Sequence, residues 1–139
     1  MMRTVEPFQP AGVAEPLGHY SNASRAAGER LVFVAGQVGI NADGSLAGDD
    51  LHTQAVQTFE NIRTILASEG LDMSSIAKFT TYLVDASDID AFYGVRDEVF
   101  PRLFSDGGYP PNTLLVVSRL VRPEFKVEIE AIAAASAGD

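Results

Sequence analysis

Hydrophobic residues recur at helical spacing between a turn-rich link at residues 41–50 and Gly70. Asp49 or Asp50 can cap a helix there by accepting from its free backbone amides, and Gly70 suits the position just past the helix end. Five apolar residues define the buried side of this first predicted helix: Leu51, Ala55, Phe59, Ile62 and Leu66.

A second helix is predicted after residue 87, because Ser87 and Asp90 have the Ser-x-x-Asp form of a capping box. Pro101 is expected to end this helix, since proline cannot donate the hydrogen bond that continues it. Its apolar stripe consists of four residues: Ile89, Phe92, Val99 and Leu103.

Segments rich in β-branched and aromatic residues predict strands at residues 20–25, 31–35, 76–84, 112–118 and 125–133. We expect the first two to form a hairpin around residues 27–29. The second of them is apolar throughout and is therefore expected to be buried. Several prolines favour an irregular N-terminal arm over about residues 1–16.

The predicted element order is ββαβαββ within a single domain of residues 1–139, which places the chain in the α/β (α+β) class. Two right-handed crossovers would put both helices on one face of a mixed sheet. The other sheet face stays bare, and a bare apolar face needs a partner. The element order therefore predicts an oligomer.

The composition argues against several classes of function. A formal net charge of -9 repels phosphate backbones and anionic lipid surfaces, so neither nucleic acid nor a membrane is an expected partner. The absence of cysteine excludes thiolate nucleophiles, disulfides and cysteine-based metal sites. The chain starts with no apolar leader and has no run of about 18 apolar residues, so a cytoplasmic location is expected.

The sequence has no glycine-rich phosphate loop, no His-x-x-x-His pair and no Gly-x-Ser-x-Gly elbow. His19 and His52 are far apart and lack carboxylates at ligand spacing, so no metal site is expected. His19 lies near Ser21 and Ser24, but a surface histidine before a strand is commoner than a nucleophile pair. Both histidines are therefore interpreted as surface residues.

Arg96 projects from the middle of the apolar stripe of the second helix. Its stem can pack on the core while the guanidinium reaches an edge or pairs with a carboxylate. Alternatively, the guanidinium can face a cleft and hold a carboxylate ligand through two parallel hydrogen bonds. In the last strand, Glu128 and Glu130 alternate with Val127 and Ile129, so both glutamates share a face that is either solvated or catalytic.

Several segments resemble the RidA (YjgF) family and occur in that family's order. Gly18-His19-Tyr20-Ser21-Asn22-Ala23 is similar to a Gly-Pro-Tyr-Ser-Gln-Ala segment, and Phe33-Val34-Ala35-Gly36-Gln37 is similar to a Phe-Val-Ser-Gly-Gln strand. The others are Gln54 and Glu60-Asn61-Ile62, Lys78-Phe79-Thr80-Thr81-Tyr82-Leu83, and Val127-Glu128-Ile129-Glu130-Ala131-Ile132-Ala133. The resemblance spans about residues 12–133.

The resemblance implies a chorismate-mutase-like fold and a homotrimeric barrel with small-molecule clefts between subunits. It also implies hydrolysis of reactive enamines or imines to a keto acid and ammonia, without metal or cofactor. In that chemistry Glu128 matches the glutamate that positions water, Tyr20 matches a cleft tyrosine, and Leu114 matches a residue whose backbone contacts the imine end.

The chain departs from the family at the position of the substrate-binding arginine. The family segment is Pro-Ala-Arg-Ser, whereas this chain has Pro110-Pro111-Asn112-Thr113, and Ala35 replaces a serine of the same wall. A neutral amide cannot form the ion pair with a substrate carboxylate. We therefore predict a divergent subgroup whose ligand is not the usual 2-aminoacrylate.

Arg96 matches a family helix position that commonly holds an asparagine facing the cleft. The hypothesis is that Arg96 supplies the anion clamp while Asn112 bonds an amide, hydroxyl or carbonyl of a different ligand. A non-catalytic small-molecule-binding trimer is the alternative function. A ribonuclease or translation-inhibitor role is disfavoured by the acidic composition.

Overall fold

A four-stranded mixed sheet carries two helices in the computed structural model, which describes residues 4–136. The elements of this part of the chain are β1 (Val5–Phe8), β2 (Ala23–Ala26), β3 (Arg30–Val38), α1 (Leu51–Ser68), β4 (Ile76–Leu83), α2 (Ile89–Leu103), β5 (Asn112–Val116) and β6 (Val127–Ala135). Neither α1 nor α2, nor any other helix of residues 4–136, is long and apolar enough to cross a membrane.

The main sheet has the strand order β3-β6-β4-β5. Strand β6 runs antiparallel to both β3 and β4, and β4 runs parallel to β5. Both helices lie on the same face, where α1 contacts β3, β6 and α2. The mixed sheet with two helices on one face is confirmed.

Helix α1 forms as its sequence pattern predicts. The Asp50 side chain accepts from the Thr53 backbone N–H, and Gly70 adopts a φ of +74° just beyond the helix. All five residues of the predicted stripe are buried, and one of them, Phe59, packs against Phe79 of the sheet and against Phe92 and Phe100 of α2.

The predicted beginning and end of α2 are both wrong. No side chain of the described residues caps α2, because its N-cap residue Asp88 makes no capping hydrogen bond. Asp85 instead caps the preceding 3-10 turn, Ala86–Asp88, by accepting from the Ser87 N–H. The helix itself begins at Ile89 and continues past Pro101 to Leu103. Pro101 has no N–H to donate to the carbonyl four residues before it, and the helix ends two residues after the proline.

The N-terminal predictions also need correction. Residues 5–8, expected to be irregular, form β1 and pair with β2, while residues 1–3 of the predicted arm lie outside the described residues. The prediction of a hairpin around residues 27–29 is wrong, because β3 pairs with β6 and not with β2. Pro7 fits the two-stranded sheet because an edge strand does not need every backbone donor.

The apolar sequence of strand β3 predicts a fully buried strand, but this prediction is wrong. Leu31 and Phe33 are 56% and 70% exposed, whereas Val34 points to the helices and is buried. The alternation arises because the helices cover one sheet face and leave the other open. Leu115 of β5 adds a further exposed apolar side chain to this bare face.

Candidate functional site

The residues predicted to form one site lie in two groups within a single chain. Asn112 pairs in register with Phe79 and lies on the helix-covered side of the sheet, near Tyr20. Glu128 pairs with Tyr82 and lies on the bare side. Asn112 and Glu128 are thus three residue positions apart along the strands, which is about 10 Å at about 3.3 Å per residue. They also lie on opposite faces of the sheet.

Tyr20 and Asn112 line a cavity of about 510 Å³ between β2 and the beginnings of β4 and β5. The hydroxyl of buried Thr81 donates to Asn112 Oδ1 at 2.8 Å, which leaves the Asn112 amide N–H groups available to a ligand. Lys78 also lines this cavity and brings a positive charge to it. The Asn112 amide and the Lys78 ammonium can therefore both donate to a ligand in this cavity.

Side chains next to Tyr20 in the sequence hold its segment in place by donating hydrogen bonds to backbone carbonyls of other segments. Ser21 Oγ donates to the Tyr109 carbonyl, Asn22 Nδ2 donates to the Ala14 carbonyl at 3.0 Å, and Ser24 Oγ donates to the Ala77 carbonyl at 2.6 Å. The Tyr20 phenol oxygen accepts from the Leu17 N–H at 3.1 Å. Its own O–H remains able to donate a hydrogen bond.

Arg96 is buried, with only 2% of its surface exposed, and its guanidinium is surrounded by aromatic rings. Its Cζ lies 4.4 Å from the ring centroid of Tyr93, 5.1 Å from that of Phe92 and 5.6 Å from that of Tyr20. Within residues 4–136 neither Nε nor Nη1 has a hydrogen-bond partner, and no carboxylate forms an ion pair with it. Burial lowers the pKa of Arg96, although Tyr93, Tyr20 and Asp97 oppose the shift.

Both histidines contact carboxylates of α2, which the sequence did not predict. His19 Nδ1 lies 2.7 Å from Asp97 Oδ1, although the direction of this contact is not that of a hydrogen bond. His52 Nε2 lies 2.7 Å from Glu98 Oε2. Among the residues described by the structure, no three His, Asp or Glu side chains are placed to hold a metal ion.

Glu128 lies against a β-bulge of the neighbouring strand. The register between β3 and β6 shifts between Val34 and Gln37, so Ala35 and Gly36 form the bulge. A Cβ at position 36 would overlap the Glu128 carboxylate, so only glycine permits this close approach. Ala35, the other bulge residue, is exposed and its carbonyl accepts from the Gln37 side chain at 3.1 Å.

The Glu128 carboxyl group is electrostatically perturbed. Partial burial raises its pKa, and the negative charge of Glu130 on the same face raises it further. Tyr82, which sequence analysis did not single out, donates to Glu130 Oε1 at 2.6 Å. One sequence does not reveal the register between strands, so it does not predict that Tyr82 lies opposite Glu128.

Leu114 presents its backbone, not its side chain, to the outside. The side chain packs against the core, and β5 is an edge strand. Bonds from Phe79 N to the Pro111 carbonyl and from Val117 N to the Leu83 carbonyl fix the parallel ladder, in which Leu114 N–H and C=O point away from β4. This edge is free to contact another molecule or chain.

A family model described as endoribonuclease L-PSP matches residues 12–135. TdcF of Escherichia coli (strain K12) is 31% identical over 109 residues, which are 77% of this chain and 81% of TdcF. A 2-iminobutanoate/2-iminopropanoate deaminase of Salmonella typhimurium is 28% identical over 103 residues, which are 74% of this chain and 78% of the relative.

Solved structures give the same result. YyfB of Yersinia pestis, a member of the conserved Rid protein family, has a TM-score of 0.82 and 27% identity, covering 94% of this chain and 98% of YyfB. TdcF of Escherichia coli with bound serine has a TM-score of 0.70 and 28% identity, covering 88% and 92% of the two chains.

Proposed function

Because the chain belongs to the endoribonuclease L-PSP family, also known as the YjgF or RidA family, we propose that it hydrolyses a reactive enamine or imine. Water adds to the C=N carbon, the C–N bond of the resulting carbinolamine breaks, and the products are a carbonyl compound and ammonia. The observation that carries this proposal is Glu128, a partly buried carboxylate with a raised pKa beside an open glycine bulge.

Glu128 is proposed to act as the catalytic residue. A carboxylate of raised proton affinity can take a proton from the attacking water and return it to the departing nitrogen. Neither step needs a metal or an organic cofactor. The name of the Salmonella typhimurium relative, 2-iminobutanoate/2-iminopropanoate deaminase, supports the same reaction class.

Asn112 sets the proposed substrate apart from ordinary 2-imino acids. The Thr81 hydroxyl occupies Asn112 Oδ1, so the N–H groups of this cavity-lining amide are left for a neutral carbonyl, amide or hydroxyl oxygen of a ligand. Loss of an arginine clamp at this position costs a carboxylate ligand about 1.5–3 kcal/mol. The usual 2-aminoacrylate is therefore not the proposed substrate.

Arg96 is proposed to hold an anionic group elsewhere on the ligand. Its buried Nε and Nη1 lack hydrogen-bond partners within the described chain, and an unpaired buried charge is costly unless an anion completes it. The rings of Tyr20 and Tyr93 flank it next to the segment that borders the cavity. The ligand would carry its negative charge toward α2.

A homotrimer is proposed to bring the two groups of site residues together. Its supports are the bare apolar face, with Leu31, Phe33 and Leu115, and the free edge of β5. In such an assembly Glu128 of one subunit would face the Tyr20 and Asn112 cavity of another. The predicted cytoplasmic location and the absence of nucleic-acid partners remain part of this proposal.

Sedimentation equilibrium tests the assembly. We expect trimers for the native protein and monomers or aggregates for Phe33→Asp, because a carboxylate at this exposed apolar position would be buried without a partner. Val121→Asp is a matched control, since Val121 is also exposed but lies outside the sheet. A native protein that stays monomeric at micromolar concentration contradicts the proposed trimer.

An ammonia-release assay tests the reaction, with imines that lack the 2-carboxylate, generated by amine oxidases, and with 2-imino acids, generated by amino-acid oxidases. We expect the protein to accelerate release from some imines but not from 2-aminoacrylate. Asn112→Arg should raise kcat/KM for 2-imino acids about 10- to 100-fold, the equivalent of regaining one charge-assisted pair. Asn112→Gln, which lengthens the side chain without adding charge, should bring no such gain.

The second candidate function is non-catalytic binding of a small molecule in the same cleft. It is favoured by Asn112, which stands where the family has its substrate-binding arginine, and TdcF is a relative crystallised with bound serine. Rates of ammonia release identical with and without protein, together with measurable ligand binding, would favour this candidate over hydrolysis.

A further inference from the structure

Three polar side chains form a connected group on the bare face of the sheet: Tyr82 of β4, and Glu128 and Glu130 of β6. The two glutamates are two residues apart on one strand, so their Cα atoms are separated by about 7 Å. Tyr82 lies directly opposite Glu128 in the strand register, yet its hydroxyl donates diagonally to Glu130 at 2.6 Å. The phenol therefore ties Glu130 to the neighbourhood of Glu128.

The Tyr82 phenol stays protonated near neutral pH and can keep donating to Glu130. Donation to the Glu130 carboxylate raises the pKa of Tyr82, and burial and the charge of Glu128 act in the same direction. A phenol that stays protonated remains a donor. Glu130 is thus kept from extending into solvent, as an exposed glutamate otherwise does.

Glu130 is the charged group that raises the pKa of Glu128, and the side chains beside Glu128 on the neighbouring strands are mostly neutral. On β3 the residues beside Glu128 are Gln37 and Val38, which are neutral. On β5 the side chains of the bare face are Thr113 and Leu115, which are also neutral. Lys78 lies on the same face and lines a small cavity with Glu130. It pairs with Ile132, two residues from Glu130 but four from Glu128, so its positive charge is nearer to Glu130 than to Glu128.

We propose that Glu130 and Tyr82 are positioning residues for the hydrolysis, with Glu130 strengthening Glu128 as a base and Tyr82 holding Glu130 in place. This inference rests on the proposed function, because it gives Glu128 a reaction to serve. An ordinary carboxylate is a weak base near neutral pH, and a nearby negative charge makes it bind a proton more tightly. Neither positioning residue needs to touch the substrate.

The Glu130→Gln variant tests the proposal through the titration of Glu128. We expect the Glu128 pKa, followed by NMR of 13C-labelled glutamate in the assembled protein, to fall when the charge of Glu130 is removed. Tyr82→Phe should lower it in part, because an untied Glu130 moves away from Glu128. Glu124→Gln removes the same charge from an exposed loop position and should leave the Glu128 titration unchanged.

Kinetics supply the second readout. With Glu130→Gln the acid limb of the kcat profile should move to lower pH and the plateau kcat should fall about 3- to 10-fold, with KM unchanged. A Glu128 titration that is the same in the native protein and in Glu130→Gln overturns this inference, whatever the activity. Full activity of a Glu128→Gln variant would instead overturn the proposed function, so the two failures are distinguishable.

Discussion

Glu128→Gln is expected to lower kcat/KM for imine hydrolysis by at least about 100-fold, the usual contribution of a positioned general base. The amide keeps the size of the side chain but cannot take a proton from water. The fold should survive, because the group is only partly buried and no hydrogen bond to it is required by the sheet. Initial rates of ammonia release and a urea unfolding curve, measured on the same preparation, check both statements.

Gly36→Ala tests the role of the Glu128 carboxylate by a change on the neighbouring strand β3. The added methyl group would overlap Glu128, and because the overlapped atoms belong to a flexible side chain, the carboxylate should shift while the strands stay in place. Activity should fall toward that of Glu128→Gln. At Gly39 a methyl group would instead meet the backbone of Gln54, so Gly39→Ala should lose stability and serves as the contrasting variant. An active Gly36→Ala, or a stable but equally active Glu128→Gln, contradicts the role assigned to Glu128.

Arg96→Met is expected to separate stability from ligand binding. A buried charge replaced by an apolar side chain of similar length often leaves the free energy of unfolding unchanged or raises it by about 1–3 kcal/mol. Affinity for carboxylates should fall about 10- to 100-fold, because one charge-assisted hydrogen-bonded pair is lost. Chemical denaturation and calorimetric titration with stable monocarboxylates, from acetate to benzoate, measure the two quantities.

Arg102→Met provides the control on the same helix. Arg102 is exposed, and its nearest approach to Glu60 is 3.7 Å, so the ion pair contributes at most about 1 kcal/mol. Neither stability nor carboxylate affinity should change appreciably. If Arg96→Met binds carboxylates as tightly as the native protein, Arg96 does not belong to the ligand site and its burial is only structural.

The sequence predicts the helices and the main strands well where a periodic pattern and a local cap coincide. Asp50, the apolar stripe of α1 and Gly70 all act within one helix, so local chemistry is sufficient. The capping of α2 is mispredicted because a 3-10 turn precedes the helix, and in that turn the Ser87 hydroxyl donates to Asp85 instead of capping α2.

Pairings between distant segments are the part that the sequence could not supply. Residues 20–25 and 31–35 are close in the chain and look like a hairpin, yet β1 and β6 offer better partners from far away. For the candidate site, the burial of Arg96 follows from helical periodicity, whereas Tyr82 beside Glu130 depends on a register that shifts at a bulge.

The outward-pointing backbone of Leu114 affects how a newly synthesised chain behaves. An isolated chain exposes the apolar side chains of β3 and the unpaired backbone edge of β5. Another extended segment can form β-sheet hydrogen bonds with that edge. If the protein forms the proposed trimer, assembly with other copies of the chain competes with aggregation. Slow or dilute synthesis should make this protein depend on chaperones until its edges are covered.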